Sequence, residues 1–146
     1  QYGDDLAGVN ADGPMCLAMV GYHLTGDKKF APDKTIAFAT EKNYFKNGSG
    51  TLPKMMTQGA ADLGLTGVQI TPSSESIIAN LQSGSPVICY IGAGKFTSRP
   101  HYVVIHAFEE GYLLINDPYS AINSEKRWLF SDIASQIKGA WAISTL

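Results

Sequence analysis

Apolar residues recur at helical spacing through the first half of the chain and at strand spacing through the second. Leu17, Val20, Gly21 and Leu24 share one stripe, which predicts a helix from Pro14 to Leu24 after an irregular lead-in over residues 1–12. Asp12 stands where an N-cap belongs, Pro14 sits in the first turn where its missing N–H costs nothing, and Gly26 closes the helix. Ile36, Ala37 and Thr40 define a second helix from Pro32 to Tyr44, again opened by Pro and Asp. Asn47-Gly48-Ser49-Gly50 reads as a turn, and Pro53 to Leu63 as a third helix closed by Gly64. A short strand, Gly67 to Ile70, precedes a fourth helix capped by Ser73 or Ser74, carrying Ile77, Ile78 and Leu81 and stopped by Gly84.

From Pro86 the period becomes two. Val87 to Ile91 reads as a buried strand, Tyr102 to Phe108 as a second, and Glu109-Glu110-Gly111 as the hairpin returning along Tyr112 to Asn116. Asp117-Pro118-Tyr119-Ser120 is a turn, Ser131 to Ile137 a short helix, and Ala140 to Thr145 a last strand. Helices first and antiparallel strands second make this an α+β chain.

A chain of 146 residues forms one domain, here taken as 1–146. The hydrophobic fraction of 45% against 16% charged excludes a disordered tail. Eleven basic against thirteen acidic residues leave a net charge of −2, with no Lys/Arg cluster dense enough to track phosphates, so nucleic acid is not an expected partner. No apolar run approaches the ~20 residues of a membrane span. Two cysteines, Cys16 and Cys89, make neither a disulfide framework nor a four-cysteine zinc site. The chain starts at Gln1 without a signal segment and reads as a mature domain or a piece of a longer precursor.

Candidate chemistry lies in three segments: Ala11-Asp12-Gly13-Pro14-Met15-Cys16-Leu17-Ala18-Met19-Val20, Pro100-His101-Tyr102-Val103-Val104-Ile105, and Leu114-Ile115-Asn116-Asp117-Pro118. Counted from the hairpin, His101 and Asp117 fall near the same end of a two-stranded ladder, with parity open to change by a bulge. A His oriented by a carboxylate is the general-base half of a nucleophilic site. The nucleophile of such sites often stands at a helix N-terminus, where the dipole and free N–H groups stabilise a thiolate or an oxyanion.

On these segments the chain resembles the papain-like cysteine peptidases of the bacteriocin-leader, double-glycine-processing type. There Gly-Cys-Gly-Pro-Thr-x-Leu-Ala-Met-Val opens the first helix, Gly-His-Tyr-Val-Val-Ile carries the base, Asn-Asp-Pro orients it, and an upstream Gln helps form the oxyanion hole. The resemblance implies a papain-like α+β fold, an N-terminal helical half on a C-terminal antiparallel sheet with a cleft between them. It implies His101 as the base, Asp117 as its orienting partner and Gln1 as the oxyanion Gln. The nucleophile position falls on Asp12, and Pro100 replaces the Gly before the His. A carboxylate is a poor substitute for a thiolate in peptide hydrolysis, since its acyl product is an anhydride. It would also favour the imidazolium of His101.

Each residue has a plainer reading beside the functional one. Asp12 serves as a helix cap, with or without a part in the cleft, Asp117 as a turn residue, and His101 as a structural histidine. Cys16, one turn and about 6 Å further along the helix, is a buried small side chain or a displaced nucleophile. Cys89 is core. His106 has opposite parity to His101 and is structural, and His23 belongs to the surface at the helix end. Asp12, His101 and Asp117 could alternatively hold a divalent ion, though nothing in local spacing supports it. Ile91-Gly92-Ala93-Gly94-Lys95 lacks the spacing of a phosphate loop and is expected to line the cleft. The four methionines are core or cleft lining. No organic cofactor is implied.

The expected function is a degenerate peptidase-like domain that binds an extended peptide without cutting it. The alternatives are an active peptidase using Cys16 and a structural module of a larger secreted protein. The expected partner is a peptide or protein segment. The resemblance implies a bacterial protein located outside the cell or on its surface.

Overall fold

Six strands form one antiparallel sheet in the order β3-β8-β4-β5-β6-β7, where β3 is Leu65–Ile70, β4 Val87–Ile91, β5 His101–Glu109, β6 Tyr112–Asn116, β7 Arg127–Trp128 and β8 Ile137–Thr145. The computed structural model describes residues 11–46 and 50–146; Gln1 and turn positions 47–49 lie outside them. Helices α1 (Asp12–Thr25), α2 (Pro32–Glu41) and α3 (Gln58–Asp62), with a two-stranded ribbon of β1 (Phe45–Lys46) and β2 (Gly50–Thr51), make up the N-terminal half. Helix α4 (Ser74–Gln82) leads into the sheet, and α5 (Ala121–Glu125) and α6 (Phe130–Ile133) flank its far edge.

The runs Val-Ile-Cys-Tyr-Ile and Tyr-Val-Val-Ile are apolar throughout because both faces of the sheet are covered. Ile88, Tyr102, Val104, Trp141 and Ile143 join Leu17, Val20, Phe30, Met55 and Met56 of the helical half. Val87, Cys89, Ile91, Val103 and Ile105 point the other way, into a second cluster with Ile77, Trp128 and Ile133. Each fully buried large apolar side chain contributes about 1.5–3 kcal/mol, so neither cluster is dispensable. Gly21 lets α1 meet the turn that follows it: a Cβ there would stand 2.2 Å from the Phe30 ring.

Several expected boundaries move. The second helix stops at Glu41 rather than Tyr44, because Asn43 turns to φ 61° and sends Tyr44 into the core. The third expected helix splits into a 3₁₀ turn, Pro53–Met56, and α3, broken at Thr57 where φ is −110°. The helix expected at Ser131–Ile137 is α6 plus a 3₁₀ turn over Ala134–Gln136, and Ile137 already belongs to β8. The pattern missed α5 and β7, both too short to show a period. The first helix begins at Asp12, with Ala11 as its N-cap and no side-chain capping bond. Asp12 is therefore not the cap: its carboxylate accepts the Tyr102 N–H and the Tyr119 hydroxyl instead.

Candidate functional site

The N-terminus of α1 meets the start of β5 and the β6–α5 turn, and three buried charged side chains converge there. Asp12 is 7% exposed, His101 4% and Asp117 7%. His101 Nε2 lies 2.9 Å from Asp117 Oδ1. One Asp12 oxygen accepts the Tyr102 backbone N–H at 2.6 Å, and the other accepts the Tyr119 hydroxyl at 3.1 Å.

A β-bulge makes the His101–Asp117 contact possible. Near the hairpin Glu109 pairs with Tyr112 and Ala107 with Leu114, but beyond His106 the register shifts and Val104 pairs with Asn116. Extended by one residue, the shifted register sets Asp117 opposite Val103, on the His101 face of the strand. Without the extra residue Asp117 would oppose Val104 and face away, since side chains alternate and directly opposed residues share a face. His106 is the bulged residue. It is exposed and lies with His23 and Met19 beside α1, away from His101, as its parity implied.

The Asp117 carboxylate is held from several sides. Asn123 Nδ2 donates to its second oxygen at 3.1 Å, and the Tyr119 N–H donates to the first at 2.8 Å. Its own N–H donates to Ser124 Oγ at 2.8 Å. Burial works against the charge, but the His101 hydrogen bond, Asn123 and Tyr119 outweigh it and hold the carboxyl below its ordinary value. For His101 burial again disfavours the charge. The Asp117 hydrogen bond, the Arg99 carbonyl and the charges of Asp117 and Asp12 prevail, so the imidazole lies above its ordinary value. His101 Nδ1 faces the Arg99 carbonyl at 3.2 Å. The Arg99 carbonyl and the Asp117 carboxylate are both acceptors, so the surroundings of both ring nitrogens favour the protonated ring. Asp12 is raised, chiefly by burial, with the Tyr102 and Tyr119 hydrogen bonds pulling the other way.

Tyr119 is the site residue that sequence reasoning passed over. Its ring lies 5.0 Å from the His101 ring, its hydroxyl reaches Asp12 and its N–H reaches Asp117. The signal was an aromatic residue two positions after Asp117, but its reach across to α1 is a tertiary fact. Asn123 went unnoticed for the same reason.

Cys16 is fully buried, and its thiol is pushed well above its ordinary value by burial first and by Asp12 and Asp117 after it. Cys89 is equally buried, its thiol pushed up to about 12 by burial. The Gly92–Lys95 loop packs on the segment before β8: Gly92 N–H donates to the Gln136 carbonyl at 2.7 Å, and Lys95 pairs with Asp132 at 3.1 Å. Between the two halves, beside Tyr102, runs a groove of about 330 Å³ bordered by Thr51, Pro53, Gln69, Tyr90 and Trp141. Among the described residues no three His, Cys, Asp or Glu side chains are arranged to hold a metal, and no helix is long and apolar enough to cross a membrane.

A family model described as Peptidase_C39 like family matches residues 14–145, nearly the whole chain. The chain belongs to the Peptidase_C39-like family. Its fold is that of the peptidase domain of Streptococcus ComA, a bi-functional ABC transporter involved in a quorum-sensing pathway. The crystal structure of that domain superposes with a TM-score of 0.72 at 19% identity, over 94% of this chain and 93% of the other. A comparison with curated proteins found no match. The papain-like α+β architecture expected from the sequence is thus the fold of this Peptidase_C39-like chain.

Proposed function

We propose that this domain binds an extended peptide in the groove beside Tyr102 and does not cleave it. The observation that carries the reading is the hydrogen bonding of Asp12 and His101. The position that the resemblance gives to a thiolate holds a carboxylate, occupied by the Tyr102 N–H and the Tyr119 hydroxyl. Both nitrogens of the imidazole expected to act as base face acceptors, the Asp117 carboxylate and the Arg99 carbonyl. An aspartate attacking a peptide carbonyl would form an anhydride, which makes it a poor nucleophile here. Cys16 offers no substitute, since a buried thiol beside two carboxylates resists forming the thiolate. The groove has Thr51 and Pro53 on one side and Gln69, Tyr90, Tyr102 and Trp141 of the sheet on the other.

The test pairs a random peptide library with intact-mass labelling by a peptidyl thiol electrophile. The unaltered protein should release no cleavage product and take up no label, while library peptides perturb the Trp141 indole. The Asp12→Cys variant should label rapidly, because the new thiol stands at the helix N-terminus beside His101. Cleavage by the unaltered protein that disappears in Cys16→Ser would overturn the reading and make Cys16 the nucleophile. Absence of any peptide-induced change at Trp141 would leave a structural module instead.

A further inference from the structure

Toward its C-terminal end α1 faces the β5–β6 ladder across a small cavity of about 150 Å³. Met19 and His23 line it from the helix, and Val104, His106 and Asn116 from the sheet. Met19 and His23 are four residues apart, so they lie on one face of α1, a turn from each other. His106 reaches the same rim through the bulge: Ile105 pairs with Ile115 and Ala107 with Leu114, which leaves His106 outside the ladder. The hairpin register needs an extra residue here, and a residue of any kind would supply it. An imidazole turned toward two further donor side chains on α1 is more than the register asks for.

Burial first, and after it the charge of His23, push the His106 imidazole down against the opposing pull of Glu109, so the two rings lie within electrostatic reach of each other. Among the described residues neither imidazole has a hydrogen-bond partner. Val20 and Val104 are buried beneath them, so the floor of the cavity is apolar and belongs to the core. Met19 is half-buried and both histidines are exposed, which puts the thioether on the inner side and the imidazoles on the outer.

The donor set decides what fits. No carboxylate lines the cavity, so calcium and magnesium lack the oxygen ligands they require. Zinc in proteins draws on thiolates, imidazoles and carboxylates rather than thioethers. Two imidazoles and a thioether match copper(I), a soft ion that selects thioether sulfur and takes imidazole beside it. All three donors are neutral, so a single positive charge is less costly here than a double one.

We infer that Met19, His23 and His106 form a copper(I) site, separate from the peptide groove, with which it shares no lining residue. The experiment holds copper(I) as its bicinchoninate complex, under ascorbate in oxygen-free neutral buffer, and titrates in the whole domain while the colour of the complex is followed. The domain should withdraw one copper ion per chain. Met19→Leu, which keeps the volume and removes the sulfur, and His106→Asn should each weaken binding by roughly tenfold or more, and His23→Ala/His106→Ala should abolish it. Unchanged melting of these variants in the absence of metal serves as the folding control. Silver(I), a redox-inert probe of the same softness, should shift the Met19 methyl and the His23 and His106 ring resonances and leave those of His101 in place. Copper binding that survives the double histidine variant, or silver shifts confined to Cys16 and Cys89, would assign the ion to the thiols and overturn the inference. So would zinc binding as tight as copper(I), or Met19→Leu binding as tight as the unaltered protein, since either would show that the thioether is not a ligand.

Discussion

Removing His101 should cost this fold several kcal/mol, and the amount follows from what the imidazole leaves behind. The paired side chains are 5% and 0% exposed, so water does not replace a lost partner. Breaking a buried pair on one side costs about 3–5 kcal/mol. Asp117 keeps the Asn123 amide at 3.1 Å and the Tyr119 N–H at 2.8 Å, which places His101→Ala toward the lower end of that range. Loss of the ring contacts with Tyr119 and Phe96 adds to it, for a total of about 3–4 kcal/mol. At about 3 °C per kcal/mol for a domain of this size, the melting temperature should fall by roughly 10 °C. Asp117→Asn keeps an acceptor for the imidazole and removes the buried charge, so it should cost only about 1–2 kcal/mol. Urea unfolding of the two single variants and the double variant at pH 6 should give a coupling energy of about 1.5–3 kcal/mol. Coupling below about 0.5 kcal/mol would refute the reasoning, because it would mean the pair is screened and the site is held by its neighbours alone.

The same pair should shape the pH dependence of stability. His101 is raised, so its contribution is complete below about pH 6.5 and fades as the pH climbs through the higher folded value; Asp117 is lowered, so its contribution is complete above about pH 3.8 and fades as the pH falls through the lower folded value. Melting profiles should therefore peak between these limits, with the alkaline decline flattened in His101→Gln. Asp12 is raised by burial, so its ionised form is a cost that grows as the pH rises through the folded value. Asp12→Asn should thus be within about 1 kcal/mol of the unaltered protein at neutral pH, whereas Asp12→Ala, which strands the buried Tyr102 N–H, should lose about 2 kcal/mol by urea titration. Gly21→Ala should destabilise by roughly 1–2 kcal/mol, since overpacking against Phe30 at 2.2 Å exceeds the helix-propensity gain; an unchanged midpoint would show that the ring moves aside freely.

Much of the architecture was legible because it rests on local patterns. The stripe of Leu17, Val20 and Leu24, the two apolar runs of β4 and β5, and the Glu-Glu-Gly hairpin each report a period and a turn that neighbouring residues determine by themselves. The identity of Asp12 just ahead of the Gly-Pro that opens the first helix was also legible, since it needs only the residues themselves. What the carboxylate does was not. Asp12 reads as a cap until Tyr102 and Tyr119, 90 and 107 residues away in sequence, are brought to it. The pairing of β3 with β8 likewise joins Leu65 to Thr145, a closure no local window contains.

The His101–Asp117 contact stands between these cases. Sequence determined that a histidine and a carboxylate lie near one end of a hairpin. Only the bulge at His106 decided that they share a face, because strand side chains alternate and one inserted residue reverses every orientation beyond it. The upward shift of His101 is decided later still, by an Arg99 carbonyl and two buried carboxylates whose electrostatic effect exists only when water has been excluded by the packed halves. Local periodicity thus determines which elements form, and tertiary packing decides which of their polar groups meet and in what charge state.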